Sequence, residues 1–387
     1  MQEPFDRFVR EFENSHPGVR VEMIEMDDDV YSQMGLVTLF VGGTPPDVYF
    51  QWGGYQVRRW ASAGYALDLT DQFQGAEKER FLPSTWPSTL GADGKNYLWP
   101  NSASVTTVMW FQKGREWKRV AKDGRVPATW AEFLELCERI RAGGQIPIAV
   151  GNKELWGGGN FVAAVLAQAL GGVRYDEVLG LKPGTRLDDP DVVQAMERVA
   201  DLGARGFLNK GVAGVGTDEA RALFLQRRAA IHPIGDWLVT DADESQAGRL
   251  DAFQIPRISS DAGSRSTLLG LSTGYMVYSR TAHRALALDF LRKMTSDAVQ
   301  KSFVAAGHVS AVAAAEPDRA APAGQHRMLE FLKTADETVL APDVGYHLEV
   351  SDAFLDAASE VLSGRRGARA AMSAADRQVQ ALRRPRP

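Results

Sequence analysis

A short apolar strand that ends in an indole and two glycines constrains this chain more than any other stretch. Residues 43 to 46, Gly-Thr-Pro-Pro, read as a turn, and Asp47 to Phe50 as a strand that stops at Gln51-Trp52-Gly53-Gly54. A helical pattern over 54–63 follows and ends at Gly64. Strand, glycines and helix in that order suit an open α/β sheet, where ligands bind just past the carboxyl ends of strands. Glycine lets a ligand approach the backbone, and Trp52 offers it a flat apolar face. At 387 residues the chain exceeds one ordinary core, which predicts two domains.

The same alternation runs through the rest. Phe5, Phe8, Val9 and Phe12 fall at helical spacing, with Pro4 in the first turn and His16-Pro17-Gly18 as the stop. Val19, Val21 and Met23 then alternate as a strand, and a helix is expected near 30–41. The order α, β, α, β, α from the first residues reads as a chain that begins inside an α/β layer, as if a first strand were missing. Ser104 to Phe111 predicts a longer strand. Thr129-Trp130-Ala131-Glu132 is a capping box, and Phe133, Leu134, Cys137 and Ile140 form the buried face of the helix it opens. Further strands are expected at 146–150, 229–234, 253–255 and 274–278. Helices are expected at 160–170, 190–204 and 218–227, behind caps at Thr281 and Ser296, and from about 325 onward.

Several function classes drop out early. A net charge of −5 argues against a general nucleic-acid binder, and no apolar run is long enough to span a membrane. The opening residues lack the basic and apolar regions of a signal peptide, so the chain is either cytoplasmic or carries its export signal elsewhere. Cys137 is the only cysteine and the six histidines are scattered, so neither a disulfide nor a metal site is expected. Asp27-Asp28-Asp29 lacks calcium-loop spacing and reads as a solvated turn. There is no Gly-x-Ser-x-Gly elbow, His-Glu-x-x-His or P-loop, and Gly211 to Gly216 follows no clear strand. No cofactor is expected.

Seven pieces in order resemble the extracellular solute-binding proteins of ABC transporters, in the carbohydrate-binding, maltose-binding-protein-like branch. They are residues 5–21, Thr44 to Leu69, Tyr97 to Pro100, Val126 to Phe133, Ile146 to Ala149 with Trp156, Ala229 to Trp237, and Leu269 to Ser272 with the helices up to Gly307. The resemblance implies a type II periplasmic-binding-protein fold, α/β in class: two lobes, each a sheet flanked by helices, closing on a ligand by hinge motion. By analogy one lobe takes residues 1–110 and 266–312, and the other 111–265 and 313–387. Ser104–Phe111 and Gly270–Tyr278 would be the crossing strands. The resemblance further implies a monomer that hands a carbohydrate to ABC permease subunits outside the cytoplasm. The family's leader, anchoring cysteine and first strand are not in this sequence. Where the family has Gly-x-Ala-Ala-Met, this chain has Arg228-Ala229-Ala230-Ile231-His232, which tells against His232 as a family site.

A sugar presents an apolar ring face and a rim of hydroxyls, so its site needs aromatic platforms and neutral polar groups. Trp52 with Gln51 and Tyr55 is one candidate set. Trp99 and Asn101 lie at the start of the first crossing strand. Trp156 precedes Gly157-Gly158-Gly159-Asn160, and Trp237 follows Gly235-Asp236 just past a strand. Asp236 either accepts sugar hydroxyls or caps the next helix. Ser272 and Thr273 sit at the second crossing, and Tyr346 and His347 follow the Pro-Asp-Val-Gly loop. Trp60, Trp86, Trp110, Trp117 and Trp130 are expected to pack. No catalytic residue is nominated. A glycosidase would need two carboxylates facing each other across the scissile bond, and no such pair is visible. A receptor for another solute stays open, although an anionic one would demand Arg or Lys, which the nominated positions do not supply.

Overall fold

The computed structural model describes residues 2–258 and 266–383. Its strands in chain order are β1 (Val48–Trp52), β2 (Trp99–Val105), β3 (Val108–Gln112), β4 (Ile146–Ile148), β5 (Ala229–Ile234), β6 (Leu250–Phe253), β7 (Thr267–Val277) and β8 (Glu337–Val339). One four-stranded sheet runs β1-β7-β2 with β8 also on β7, and the other runs β4-β5-β3-β6. The chain divides into two units, Met1–Ala103 with Ser272–Asp318 and Ser104–Leu271 with Arg319–Pro387.

The boundaries differ from those expected. The strand predicted over 104–111 is two strands, broken at Thr106-Thr107. The later piece, β3, pairs antiparallel with β5 and β6, which draws residues 104–110 into the second unit. The start of β7 joins the same unit by pairing parallel with β8, Thr267 opposite Glu337. Residues 313–318 go the other way: the Ala313 amide donates to the Arg80 carbonyl, and Phe81 bridges Val312.

In the first unit the helix Gln2–Ser15 buries the face its spacing foretold. Phe8 and Phe12 sit 4.9 and 5.1 Å from Phe290, and Phe5 stacks at 6.2 Å on Phe303. Residues 19–23 were expected as a strand and are not one. Val19 and Val21 pack against the core, but Met23 is 45% exposed, and the Val21 amide bonds the Glu13 carboxylate instead of a neighbouring strand. Alternation supplies one apolar face; a strand also needs a ladder partner.

The core of the second unit surrounds the helix Trp156–Leu170, whose residues are buried on every side from Gly157 to Gln168. A helix apolar all round is an interior helix. It starts four residues before the expected position, which brings Trp156 and the three glycines into its first turn. The capping box forms as expected: Thr129 Oγ accepts from the Glu132 amide, and the Glu132 carboxylate accepts from the Thr129 amide. Cys137 is a buried core residue, and burial pushes its thiol pKa up. Among the described residues no helix is long and apolar enough to cross a membrane.

Candidate functional site

In the first unit, β1 carries Trp52 at its end, directly opposite Thr273 of β7. The Trp52 ring is half-buried, edge-on to Phe50 at 5.1 Å and 5.9 Å from Tyr31. Phe50 and Trp52 share one face of the strand, so this wall is aromatic and partly open. Tyr55, also half-buried, opens the helix Tyr55–Ser62. Gln51 points to the other face and is buried; its Oε1 has no hydrogen-bond partner. It lines a hollow of about 10 Å³ with Tyr31, Arg59 and Trp60, room for about one water.

The glycines after Trp52 serve the protein's own backbone. A Cβ on Gly53 would lie 2.5 Å from Ser88 Cβ and 2.6 Å from the Ser272 carbonyl, which its amide bonds at 3.0 Å. Gly54 adopts φ 87° and donates to the Ser88 carbonyl. The space expected for a ligand is therefore filled by the turn around Ser88 and by β7.

Other nominated groups in this unit are also engaged. Trp99 is fully buried between Phe73 and the helical core, and its indole N–H donates to Thr295 Oγ1 at 3.0 Å. It is a core residue, and the expectation of a ligand platform there is corrected. Asn101 Oδ1 accepts from Gln300 at 2.9 Å and its amide nitrogen meets His308 at 3.4 Å. Burial lowers the His308 pKa to about 4, keeping that ring neutral. Ser272 donates its hydroxyl to the Ser102 carbonyl, and its amide donates to Ser88 Oγ. Each of these polar groups fixes local structure.

In the second unit, Trp156 and Trp237 meet with ring centroids 6.0 Å apart at 59°, and both are half-buried. Trp156 is placed by the first turn of its helix, which follows Leu155 at φ 66°, a conformation costly for a branched side chain. Trp237 is placed by Gly235: a Cβ there would lie 1.9 Å from ring atom Cζ3, so the indole lies on bare backbone. Between them in sequence, Asp236 is buried and clamps the chain. Its Oδ1 accepts from Ser104 Oγ at 2.9 Å, its Oδ2 from the Val105 amide at 3.0 Å, and its own amide donates to the Val105 carbonyl. Of the two roles left open for Asp236, the geometry supports neither; it is a strand clasp.

Burial raises the Asp236 pKa to about 6 against the lowering effect of those bonds. Well below pH 4 the group is protonated in the folded and unfolded chain alike; near pH 4 the unfolded chain is already about half ionised while the folded group still holds its proton. As pH climbs to 6 the unfolded chain ionises first, so the folded state loses stability on the order of 2–3 kcal/mol from this group. Buried histidines act in the opposite sense over part of this window, so the useful quantity is a difference. Wild-type unfolding free energy minus that of Asp236→Asn should fall between pH 4 and 6.5 in urea titrations; a flat difference removes the assignment.

Tyr346 and His347 are tied down locally. The Tyr346 hydroxyl bonds the Asp176 carboxylate and its ring sits edge-on to Tyr175 at 6.0 Å. His347 caps the helix Leu348–Leu362, its Nδ1 accepting from the Glu349 amide at 3.4 Å. The polar group of that loop that reaches the Trp156 helix was not nominated: Asp343 Oδ2 accepts from Asn160 Nδ2 at 3.2 Å. Burial raises the Asp343 pKa to about 6. The sequence held a signal, an amide in the middle of an otherwise apolar helix, Gly-Asn160-Phe-Val-Ala-Ala-Val. A polar side chain there must find a buried partner.

His232 is buried on β5 with its Nδ1 against the Ala149 carbonyl. A separate groove of about 310 Å³ in the second unit, lined by Phe253, Arg257, Arg327 and Phe331 among others, contains none of the nominated residues. Among the described residues no group of His, Cys, Asp and Glu is arranged to hold a metal.

The chain is 23% identical over 369 residues to an uncharacterized ABC transporter extracellular-binding protein of Pyrococcus horikoshii, covering 94% of this chain and 80% of the other. It is 24% identical over 334 residues to the multiple sugar-binding protein of Streptococcus mutans, covering 83% and 75%. Its fold matches the solved structure of a chitin oligosaccharide binding protein with a TM-score of 0.86 at 21% identity, covering 98% and 94%. The fold is that of the type II solute-binding proteins. The model of the bacterial extracellular solute-binding protein family matches residues 1–301, and the chain belongs to that family.

Proposed function

We propose that this chain is the substrate-binding component of an ABC importer, acting outside the cytoplasmic membrane as a single chain and binding a neutral mono- or oligosaccharide for delivery to a permease. The observation that carries the reading is the half-buried Trp156–Trp237 pair of the second unit. Two indoles set at an angle on fixed backbone give apolar faces suited to sugar rings. The nominated positions bring no Lys or Arg, which suits a neutral ligand. The sugar-binding relative named above supports the same class. No catalytic step is proposed: Asp236 is held by Ser104 and Val105, and Asp343 by Asn160.

The test is a thermal-shift screen with maltose, raffinose, diacetylchitobiose, xylobiose and galactose. A ligand at 100 times its Kd adds about 2.7 kcal/mol, or roughly 5–10 °C for a unit of this size. A flat response to every sugar sinks the reading. Products after prolonged incubation with the oligosaccharides would instead favour a glycosidase.

A further inference from the structure

We infer that Asn160 and Asp343 together read two adjacent hydroxyls of a neutral sugar ring, beside the Trp156–Trp237 pair. The inference rests on the carbohydrate reading above. Asn160 lies four residues after Trp156 on one helix, so the two side chains share a face. Asn160 is 2% exposed, yet its Oδ1 has no hydrogen-bond partner. Its Nδ2 is spent on Asp343 Oδ2, and Asp343 Oδ1 is likewise out of solvent and unpartnered. Buried polar atoms are nearly always paired, and leaving them unpaired is costly. Two acceptors that the protein itself does not pair therefore lie on side chains joined by one hydrogen bond.

Two unpaired acceptors call for two donors. A vicinal diol supplies two O–H groups on adjacent carbons without a charge to desolvate. The donors that face the Asp343 carboxyl are the Asn160 side-chain amide and the backbone N–H groups of Asp343 and Val344. A neutral hydroxyl can add to this set without the cost of desolvating a second charge. The neighbouring indoles offer the apolar face that a ring bearing such a diol also presents.

The experiment is calorimetric titration of the full chain with maltose, raffinose, diacetylchitobiose, xylobiose, galactose and glucosamine, followed by the monodeoxy analogues of the tightest binder. Wild type is compared with the double variant Asn160→Leu, Asp343→Leu, which replaces both partners by apolar groups, and with the conservative Asp343→Asn. The double variant is expected to keep the ligand-free melting temperature and to bind the sugar at least tenfold more weakly. On wild type, removing one of two adjacent hydroxyls should cost about tenfold, and that penalty should shrink in Asp343→Asn, which keeps the measurement decisive if the double variant does not fold. Unchanged sugar affinity in the folded variants, as a resident water at these atoms would give, overturns the inference and leaves the carbohydrate reading standing. Glucosamine binding more tightly than every neutral sugar overturns the diol assignment. A wild type that binds no sugar overturns the carbohydrate reading and this inference with it.

Discussion

Trp237→Ala is expected to weaken sugar binding by a factor of ten to a hundred while leaving the second unit folded. The half-buried ring is not part of the unit's apolar core, so little core packing is lost with it. What is lost is one of two apolar faces, and aromatic anchors in recognition sites are worth about 1–3 kcal/mol each. The indole lies on Gly235 and against Trp156, both of the same unit, so its pose does not depend on the ligand. Trp237→Phe should recover part of the affinity because the smaller ring still fits over the glycine. Calorimetric titration against the best sugar from the thermal screen measures both variants. An alanine variant with wild-type affinity would show that the ligand binds elsewhere.

Trp99→Ala is expected to act in the opposite way, on stability and not on recognition. The side chain is fully buried, packs at 4.8 Å on Phe73, and its indole N–H reaches Thr295. Truncating a buried Trp to Ala costs about 3–5 kcal/mol through lost burial and the cavity left behind. For a unit of about 150 residues that lowers the melting transition by roughly 10 °C. Scanning calorimetry should show the first transition falling by that amount, with sugar affinity unchanged below it. A shift of less than about 3 °C, or a loss of affinity without a loss of stability, would return Trp99 to the list of ligand contacts.

The two tryptophans mark where sequence reasoning holds and where it stops. Trp237 follows a strand that its own pattern announces, and its neighbours Gly235 and Asp236 are local, so its place past the strand end was legible. Trp99 also sits by a strand, between Leu98 and Pro100, but the partner that decides its role is Thr295, 196 residues away. Nothing local distinguishes the two. Gly53 and Gly54 show the same limit: small residues at a strand end announce a close approach, but not what approaches. Here it is Ser88 and Ser272. Helices with caps, such as Trp130–Ala142 behind Thr129, were legible because the capping bonds lie within four residues. The alternation at Val19, Val21 and Met23 misled because a strand is completed by a neighbour the pattern does not name. Asn160 was legible in principle as an amide in an apolar helix; Asp343 was not, since only the fold brings its loop to that helix.

The threading of the chain through its two units sets a clock for folding during synthesis. The phenylalanine face of the first helix is made early, but the Phe290 and Phe303 that cover it come far later. Phe8 and Phe290 are 282 residues apart in the chain, and Phe5 and Phe303 are 298 apart. At ribosomal rates of about 5–20 residues per second, those rings wait on the order of 15–60 s for their partners. A chain that cannot close its first core until most of it has been made leaves that phenylalanine face uncovered for that long, exposed to any other apolar surface it meets.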